Sequence, residues 1–409
     1  MKYANSLKYI ESFKSAGESG VSRKRIAELC TALGKINVGA RFIHTPGSVA
    51  GHGCGVLFEH CVKCAGYKIG RVIDPRGLDS RSCVFINCEI PSIEDYNKCV
   101  AELKSKVGKA SESEYLKEEI AFVLSLLLCF YSGCEFIILE GTDKYDRVCA
   151  PYELTVIPTL YGGEAGLEQI KPLCDAIRCG TREVVSGNQK SDVYNYISNV
   201  CAPAGQRLFI PVKSQFELTE VGARRVCFNY NGRDGFVLKT PSLIMRDCAM
   251  TVIEAIFAVR REGIRLPVSA MISGISEAGS CGSFELVFYS PTVISDNAVQ
   301  TDEVAQTYKT LCEIFGEDKS FSVCIPADMQ SDIDRLLSAL PTDRLEDIYV
   351  YTHNFELSYY KDKPLTLCRT HKDMAKHILS RKEQDCITLI LGGAFSGRVR
   401  DEIKKLVDF

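Results

Sequence analysis

The chain has 409 residues, of which 46% are apolar and 25% are charged. This composition is typical of a globular protein and excludes a wholly disordered or collagen-like chain. Lys and Arg number 49 against 52 Asp and Glu, and so balanced a charge does not indicate binding to nucleic acid or to an anionic membrane. At about 150 residues per domain, the length predicts two or three domains.

The N-terminal residues and the cysteines bear on where the protein resides. The N-terminal segment lacks the apolar core of a secretion signal, and the 20 cysteines are scattered singly. We therefore expect a cytoplasmic protein with reduced thiols. The most apolar stretch, Ile120 to Cys134, is shorter than the roughly 20 residues that a membrane span needs. It predicts a buried helix that leads into a strand, and no membrane association is expected.

Helical and strand-like segments alternate along the chain. The first predicted elements are helices over residues 3–16 and 22–33, a strand at Arg41–Thr45, a glycine-rich loop, a helix from about Cys54 to Ala65 and a strand at Tyr67–Asp74. Later strands are predicted near residues 135–140, 154–158 and 183–186, with a hairpin that turns at Asn231-Gly232. A long helix over 242–261 follows, and strands and helices alternate again from about 284 to 407.

This alternation predicts an α/β fold with mostly parallel sheets. We expect a large N-terminal domain over residues 1–285 with a core like that of a P-loop protein. A smaller, Rossmann-like domain is expected over residues 286–409.

The glycine-rich loop, PGSVAGHGC, lies between a predicted strand and a predicted helix. Backbone N–H groups converge in such a loop, and the helix N terminus adds partial positive charge. We therefore predict that a nucleotide or another anion binds at Gly47, Ser48, Gly51, His52 and Gly53. A plain connection between strand and helix is the alternative interpretation.

A working nucleoside-triphosphate loop also needs a lysine for the phosphates and a Ser or Thr hydroxyl for Mg²⁺. Gly51 and His52 stand around the lysine position, and Gly53 and Cys54 stand around the hydroxyl position. A mostly neutral histidine does not replace a permanent cation at pH 7. The two groups that handle the triphosphate are therefore missing from this loop.

The segment FIHTPGSVAGHGCGVLFEHCVKCAGYKIG resembles the start of folylpolyglutamate synthase and dihydrofolate synthase, which belong to the Mur ligase superfamily. The family pattern is approximately FIHVAGTNGKGST, then an apolar helix and AGYKVG. The segments CEFIILEG, REVVSGNQ and SCGSFELVFYSPTVISDNAVQ resemble later motifs of the same family. The resemblance implies a P-loop-like Mur ligase central domain followed by a Rossmann-like domain. It also implies an ATP- and Mg²⁺-dependent reaction that adds glutamate to a folate through an acyl phosphate.

The resemblance also implies roles for individual residues. It aligns the loop lysine with Gly51, the Mg²⁺-binding hydroxyl with Gly53 and the metal-binding glutamate with Glu140. In the second domain it retains Asp296 of a DGAHN motif, which we expect to contribute to nucleotide binding at the interdomain cleft. At the junction before that domain, Ser283 replaces an arginine. Removing one preorganised charged group typically costs about 3 kcal/mol of transition-state stabilisation. With several such groups missing, we assign no catalytic residue and expect ATP-driven ligation to be weak or lost.

Three functions remain open. The first is a diverged member of the family that retains a site for an anion, a folate or another carboxylate. The second is an active ligase in which Lys144 or Arg147 supplies the missing charge. The third is a non-catalytic binding or regulatory protein. Restoring the loop with Gly51→Lys and Gly53→Ser is expected to recover ATP binding but not turnover.

Two other groups of residues could form sites. His52, Cys54, His60, Cys61 and Cys64 have the ligand types of a zinc site. Cys61 and Cys64 share a helix face with Leu57, however, which favours packing against a sheet. Separately, three acidic residues after one strand predict either a carboxylate cluster or a solvated acidic loop: Glu140, Asp143 and Asp146.

Overall fold

The computed structural model describes residues 2–15, 20–76, 79–111, 115–161, 163–353, 359–380 and 387–407. The chain forms two compact units. The first unit comprises Met1–Leu160, Glu164–Val212 and Cys248–Glu277. The second comprises Tyr161–Gly163, Lys213–Asp247 and Ala278–Phe409. The domain boundary after residue 285 stays a prediction.

The described residues contain seventeen strands and thirteen α-helices, numbered here in chain order. The strands are β1 Arg41–Thr45, β2 Ile69–Ile73, β3 Val84–Ile86, β4 Phe136–Glu140, β5 Tyr152–Ile157, β6 Thr181–Ser186, β7 Arg207–Phe209, β8 Phe216–Gly222, β9 Arg225–Tyr230, β10 Arg233–Leu238, β11 Glu285–Tyr289, β12 Thr292–Asp296, β13 Phe321–Pro326, β14 Leu345–Tyr351, β15 Tyr359–Tyr360, β16 Lys363–Cys368 and β17 Ile387–Leu391. The helices are α1 Tyr3–Glu11, α2 Arg23–Ala32, α3 Val49–Cys64, α4 Ile93–Ser111, α5 Lys117–Tyr131, α6 Gly163–Arg178, α7 Ser191–Cys201, α8 Leu243–Arg261, α9 Val268–Glu277, α10 Thr301–Phe315, α11 Gln330–Leu337, α12 His371–Ser380 and α13 Gly393–Val407.

A seven-stranded sheet forms the centre of the first unit, with the strand order β3-β2-β4-β1-β5-β6-β7. Neighbouring strands are parallel except β2 and β3, which are antiparallel. Successive side chains of a strand point to opposite faces of its sheet. In β4, Ile137 and Leu139 belong to an apolar cluster with helices α1, α2, α4 and α5. Ile138 and Glu140 lie on the other face, against α3.

Helix α5 confirms the prediction for the most apolar stretch of the sequence. Its residues from Glu118 to Cys129 are all buried, and strand β4 follows after a short turn. Apolar side chains surround this helix because it packs between the sheet and the neighbouring helices. Among the described helices, none combines the length and the apolar character needed to cross a membrane.

The second unit contains two sheets. The larger has the order β11-β12-β17-β13-β14-β16-β15, parallel except at its two edge pairs. The smaller is antiparallel, with the order β10-β9-β8. Its hairpin turns at Asn231 and Gly232, whose positive φ angles of 50° and 66° are those that an Asn-Gly turn provides. The predicted α/β class and this hairpin are confirmed, whereas β8, α4 and α9 were not predicted.

Candidate functional site

Helix α3 begins earlier than the sequence analysis predicted, at Val49 rather than about Cys54. Ser48 is the N-cap, and its Oγ accepts a hydrogen bond from Gly51 N at 3.0 Å. The N–H of His52 donates to the carbonyl oxygen of Ser48 at 2.8 Å. An N-cap serine supplies the acceptor that the first turn of a helix lacks. Of the residues predicted to bind an anion, Gly51, His52 and Gly53 therefore lie in the first turns of α3, Ser48 is its N-cap and Gly47 precedes it.

Gly51, which the resemblance aligns with the loop lysine, has no space for a side chain. A Cβ built on Gly51 would lie 1.9 Å from the carbonyl oxygen of Pro46. Gly47 is similarly close to the loop that follows β4, since its built Cβ would lie 3.0 Å from Cα of Gly141. The backbone before α3 is therefore packed against itself and against the turn after Glu140.

Glu140, the predicted metal ligand, is the last residue of β4 and is only 3% exposed. Its Oε1 lies 2.9 Å from Nδ1 of His52, and its Oε2 accepts a hydrogen bond from Nη1 of Arg71 at 2.9 Å. Burial acts to raise the pKa of Glu140, but His52 and Arg71 together lower that pKa to about 2. Both oxygens of this carboxylate therefore have basic partners from the chain itself.

Arg71 in β2 is the centre of the arrangement and is 4% exposed. Its Nε donates to Oε2 of Glu59 at 2.8 Å, and the N–H of Cys88 donates to Oε1 of Glu59 at 2.7 Å. The guanidinium also lies over the ring of Phe85, 4.5 Å from its centroid. Despite burial, the two carboxylates raise the pKa of Arg71 further above its ordinary value. We call His52, Glu59, Arg71 and Glu140 the Arg71 cluster.

A glycine in α3 makes room for this cluster. A Cβ built on Gly55 would lie 3.2 Å from Oε2 of Glu140 and 3.4 Å from Cδ of Arg71. The contact with Glu140 is tighter than ordinary van der Waals separation, so a larger residue would press on the ion pair. The helix that carries His52 and Glu59 thus approaches the sheet closely where Arg71 and Glu140 meet.

A second group of charged side chains lies on the opposite face of the sheet. His44 is fully buried, and its Nε2 lies 3.0 Å from Oδ1 of Asp143 and 3.4 Å from Oδ2 of Asp146. Burial disfavours ionisation of Asp143, yet His44 and then Arg147 hold its pKa below the ordinary value. His44 pairs in register with Leu139, whereas Glu140 pairs with Thr45. Because alternate residues point to opposite faces, Asp143 and Asp146 do not join Glu140 in one carboxylate cluster.

Asp146 and Arg147 form the buried part of this second group. Asp146 is fully buried, so the alternative of a solvated acidic loop is wrong for this residue. Its Oδ2 accepts from Thr142 Oγ1 at 2.8 Å, and its Oδ1 accepts from Tyr152 OH at 2.9 Å. Arg147 donates to Tyr152 OH at 3.0 Å and to the carbonyl oxygen of Pro172 at 2.8 Å. Arg147 is therefore bound to partners on this face of the sheet.

Asp296, in the second unit, uses both carboxylate oxygens to bind backbone N–H groups. Oδ2 accepts from Phe284 N and Oδ1 accepts from Ala298 N, each at 2.8 Å. The side chain is 1% exposed, and burial raises the pKa of Asp296 to about 7. These bonds hold the turn after β12 to the segment before β11.

The cysteines of α3 pack against other helices of the first unit. Cys61 Sγ donates to the carbonyl oxygen of Met271 in α9 at 3.5 Å. Helix α9 lies close there, since a Cβ built on Gly274 would be 2.4 Å from Cα of Cys61. Within the part of the chain that the structure describes, no three His, Cys, Asp or Glu side chains are arranged to hold a metal ion.

Glu59, Arg71 and His44 were not predicted from the sequence to belong to a site. Each carried a local signal, because each is a polar residue within an otherwise apolar strand or helix. The segment around Arg71 reads YKIGRVID, and the segment around Glu59 reads GVLFEHCV. A buried charge needs a partner, so these residues could have been predicted to form ion pairs, although not with which partner.

Comparison with known proteins identifies the fold. The sequence matches no protein-family model and no curated protein. A folylpolyglutamate synthase from Thermotoga maritima has a TM-score of 0.77 at 17% identity, over 98% of this chain and 96% of that one. The Mycobacterium tuberculosis folylpolyglutamate synthase complexed with ADP also has a TM-score of 0.77, at 15% identity and over 98% of each chain. A complex of FPGS with AMPPCP and folate gives 0.76 at 16% identity, over 99% of this chain and 100% of that one. At these identities the likeness shows the fold, and the fold expected from the motif resemblance is confirmed.

Proposed function

We propose that this protein keeps the folylpolyglutamate synthase fold without ATP-driven ligation, and that it acts as a binding or regulatory protein. The observation that carries the proposal is the Arg71–Glu140 ion pair, at 2.9 Å and buried. Glu140 is the one carboxylate that the sequence retains from the metal site implied by the resemblance. Arg71 places a permanent positive charge beside it.

The Arg71 cluster does not fit Mg²⁺. Magnesium requires near-octahedral coordination by oxygen atoms and is usually held by carboxylates, waters and phosphates. An ion at Glu140 would lie beside the guanidinium of Arg71 and the ring of His52, and like charges repel strongly where water is excluded. Arg71 thus supplies the neutralising charge that a metal would otherwise supply.

The start of α3 does not fit a triphosphate. The side chain that would contact the phosphates is absent at Gly51, and Pro46 O fills the space it would need. The N–H of Gly51 already donates to Ser48 Oγ. Gly53 has no hydroxyl for a metal ion. What remains for anion binding at this site is the helix N terminus, formed by Gly47, Ser48, Gly51, His52 and Gly53. A helix N terminus alone suits a singly charged group better than Mg-ATP.

An active ligase with a changed ATP site has less support. Of the two cations considered for it, Arg147 is bound to Asp146, Tyr152 and Pro172 on the other face of the sheet. Lys144 is exposed and remains available to such a mechanism. Folate and ADP occur in complexes of the proteins that share this fold. We propose a folate or another carboxylate as the ligand class, with nucleotide binding lost.

Calorimetry and turnover test this proposal together. The intact protein is titrated with AMPPCP, with and without Mg²⁺, and separately with folate. ADP release is then measured with Mg-ATP, folate and glutamate. We expect no Mg²⁺-dependent nucleotide binding at about 1 mM, the upper end of ordinary KM values, and no ADP release above background.

The Thermotoga maritima folylpolyglutamate synthase, treated identically, is the positive control for the reagents. Turnover on the order of 1 s⁻¹ by the present protein, or AMPPCP binding that requires Mg²⁺, would overturn the proposal. Folate binding without turnover would support the proposed ligand class. Absence of folate binding would mean that the ligand is another carboxylate or a protein.

A further inference from the structure

Two cysteines meet at the C-terminal end of α5. The N–H of Gly133 donates to the carbonyl oxygen of Phe130 at 2.9 Å, and the N–H of Cys134 donates to the carbonyl oxygen of Cys129 at 3.0 Å. Gly133 has a φ of 71°. This pair of hydrogen bonds around a left-handed glycine is the Schellman motif, in which the residues that hold the positions of Cys129 and Cys134 contact each other. Local backbone geometry therefore brings these two side chains together.

The neighbouring strand confirms that both sulfur atoms occupy one small space. A Cβ built on Gly70 of β2 would lie 2.4 Å from Sγ of Cys129 and 3.4 Å from Sγ of Cys134. Because Gly70 has no side chain, the space that a Cβ would occupy is left to the sulfur pair.

The two thiols differ in access to solvent. Cys129 is fully buried, and the hydrogen bond with Cys134 together with burial raises the pKa of its thiol. Cys134 is half-buried at the turn before β4. A small oxidant dissolved in water would therefore reach Cys134 first, and Cys129 would lie directly behind it.

We propose that Cys129 and Cys134 form a peroxide-sensitive dithiol that closes to a disulfide in the folded protein. The sulfur of Cys134 attacks one oxygen of hydrogen peroxide, the O–O bond breaks, and water leaves with the thiol proton, so Cys134 becomes a sulfenic acid. The sulfur of Cys129 then attacks that of Cys134, the S–O bond breaks, and a second water leaves with the proton of Cys129. One peroxide is reduced, and two thiols are oxidised.

A tryptic peptide isolates this pair. Residues 118–144 contain Cys129 and Cys134 and no other cysteine, lysine or arginine before Lys144. The folded protein is treated with hydrogen peroxide, quenched with catalase, denatured in N-ethylmaleimide and digested without reductant. We expect this peptide to lose the mass of two hydrogen atoms and to carry no maleimide, and to take up two maleimides when it is reduced first.

Three controls make the result specific to the folded geometry. The chain unfolded in guanidinium should form the same bond more slowly, because the helix end no longer holds the thiols together. In Cys134→Ser, Cys129 should remain reactive towards maleimide. Cys99→Ser removes a buried thiol of the adjacent helix α4 and should leave the cross-link unchanged. The proposal fails if Cys134 proceeds to a sulfinic acid while Cys129 of the same peptide still binds maleimide, or if unfolding does not slow the cross-link.

Discussion

Nη1 of Arg71 lies 2.9 Å from Oε2 of Glu140, and both side chains are almost completely buried. The same guanidinium binds Glu59 at 2.8 Å. Two carboxylates thus share one arginine inside the first unit, and His52 adds a fourth member. A buried ion pair contributes little net stability when intact, but removing one partner leaves an uncompensated charge. The stability of the fold should therefore depend strongly on Arg71.

Replacing Arg71 with methionine, which preserves much of the side-chain length, should destabilise the protein by about 3–5 kcal/mol because Glu59 and Glu140 lose their shared cation. Urea unfolding at pH 7 measures the loss. Arg225→Met is the matched control, since the Arg225–Glu220 pair is more than half exposed, and exposed pairs contribute little. Equal stability of the two variants would contradict the central role of Arg71.

The lowered pKa of Glu140 predicts a specific acid sensitivity. The folded protein favours the ionised carboxylate, so the resulting stability is present above the ordinary pKa of about 4.5 and is lost as pH falls towards 2. Glu140→Gln should therefore be less stable than the original protein near pH 6, and the difference in free energy of unfolding should shrink between about pH 4.5 and 2. A difference that is constant over that range would contradict the pKa assignment.

Asp296 predicts the opposite dependence on pH. Burial raises its pKa to about 7, so the folded state favours the protonated form. Its contribution to stability is complete below the ordinary value of 3.8 and is lost as pH rises to about 7. Measured against Asp296→Asn, the original protein should become relatively less stable from pH 4 to 7 and then level off. A relative gain over that interval would show that the two backbone hydrogen bonds outweigh burial.

The strands and turns that depend only on local sequence pattern could be predicted from the sequence. Buried strands such as β4 are continuous apolar runs, and the turn at Asn231-Gly232 follows from the φ angles of those residues. The Arg71 cluster depends instead on sheet register. Arg71 pairs with Ile138 across β2 and β4, which places its side chain beside Glu140, 69 residues away along the chain. Local spacing does not contain that register, so the partner of Glu140 could not be predicted.

The start of α3 also lies earlier in the chain than predicted, and a single residue, Ser48, explains the difference. Glycines at the positions of Gly47, Gly51 and Gly53 favoured an open phosphate-binding loop. Ser48 is also a strong N-cap, and its hydrogen bond to Gly51 N starts the helix at Val49. The close approach of Pro46 O leaves no room for a side chain at Gly51, whereas anion binding at this helix N terminus stays a prediction.

That close approach changes the expectation for the restored loop. Even Gly51→Ala would place a Cβ 1.9 Å from the carbonyl oxygen of Pro46, so the backbone must move, at a cost of about 1–3 kcal/mol. Gly51→Lys with Gly53→Ser should therefore be destabilised and should not regain Mg-ATP binding while Arg71 and His52 hold Glu140.

Gly397→Ala in α13 is the matched control, because its Cβ would meet only the end of Arg400 at 3.8 Å. In that helix alanine should be neutral or stabilising by up to about 1 kcal/mol. Thermal unfolding of the three variants, with calorimetry of the double variant and Mg-AMPPCP, checks both expectations. Nucleotide binding by the double variant would show that the first turn of α3 opens at little cost and that the sequence-based expectation was sound.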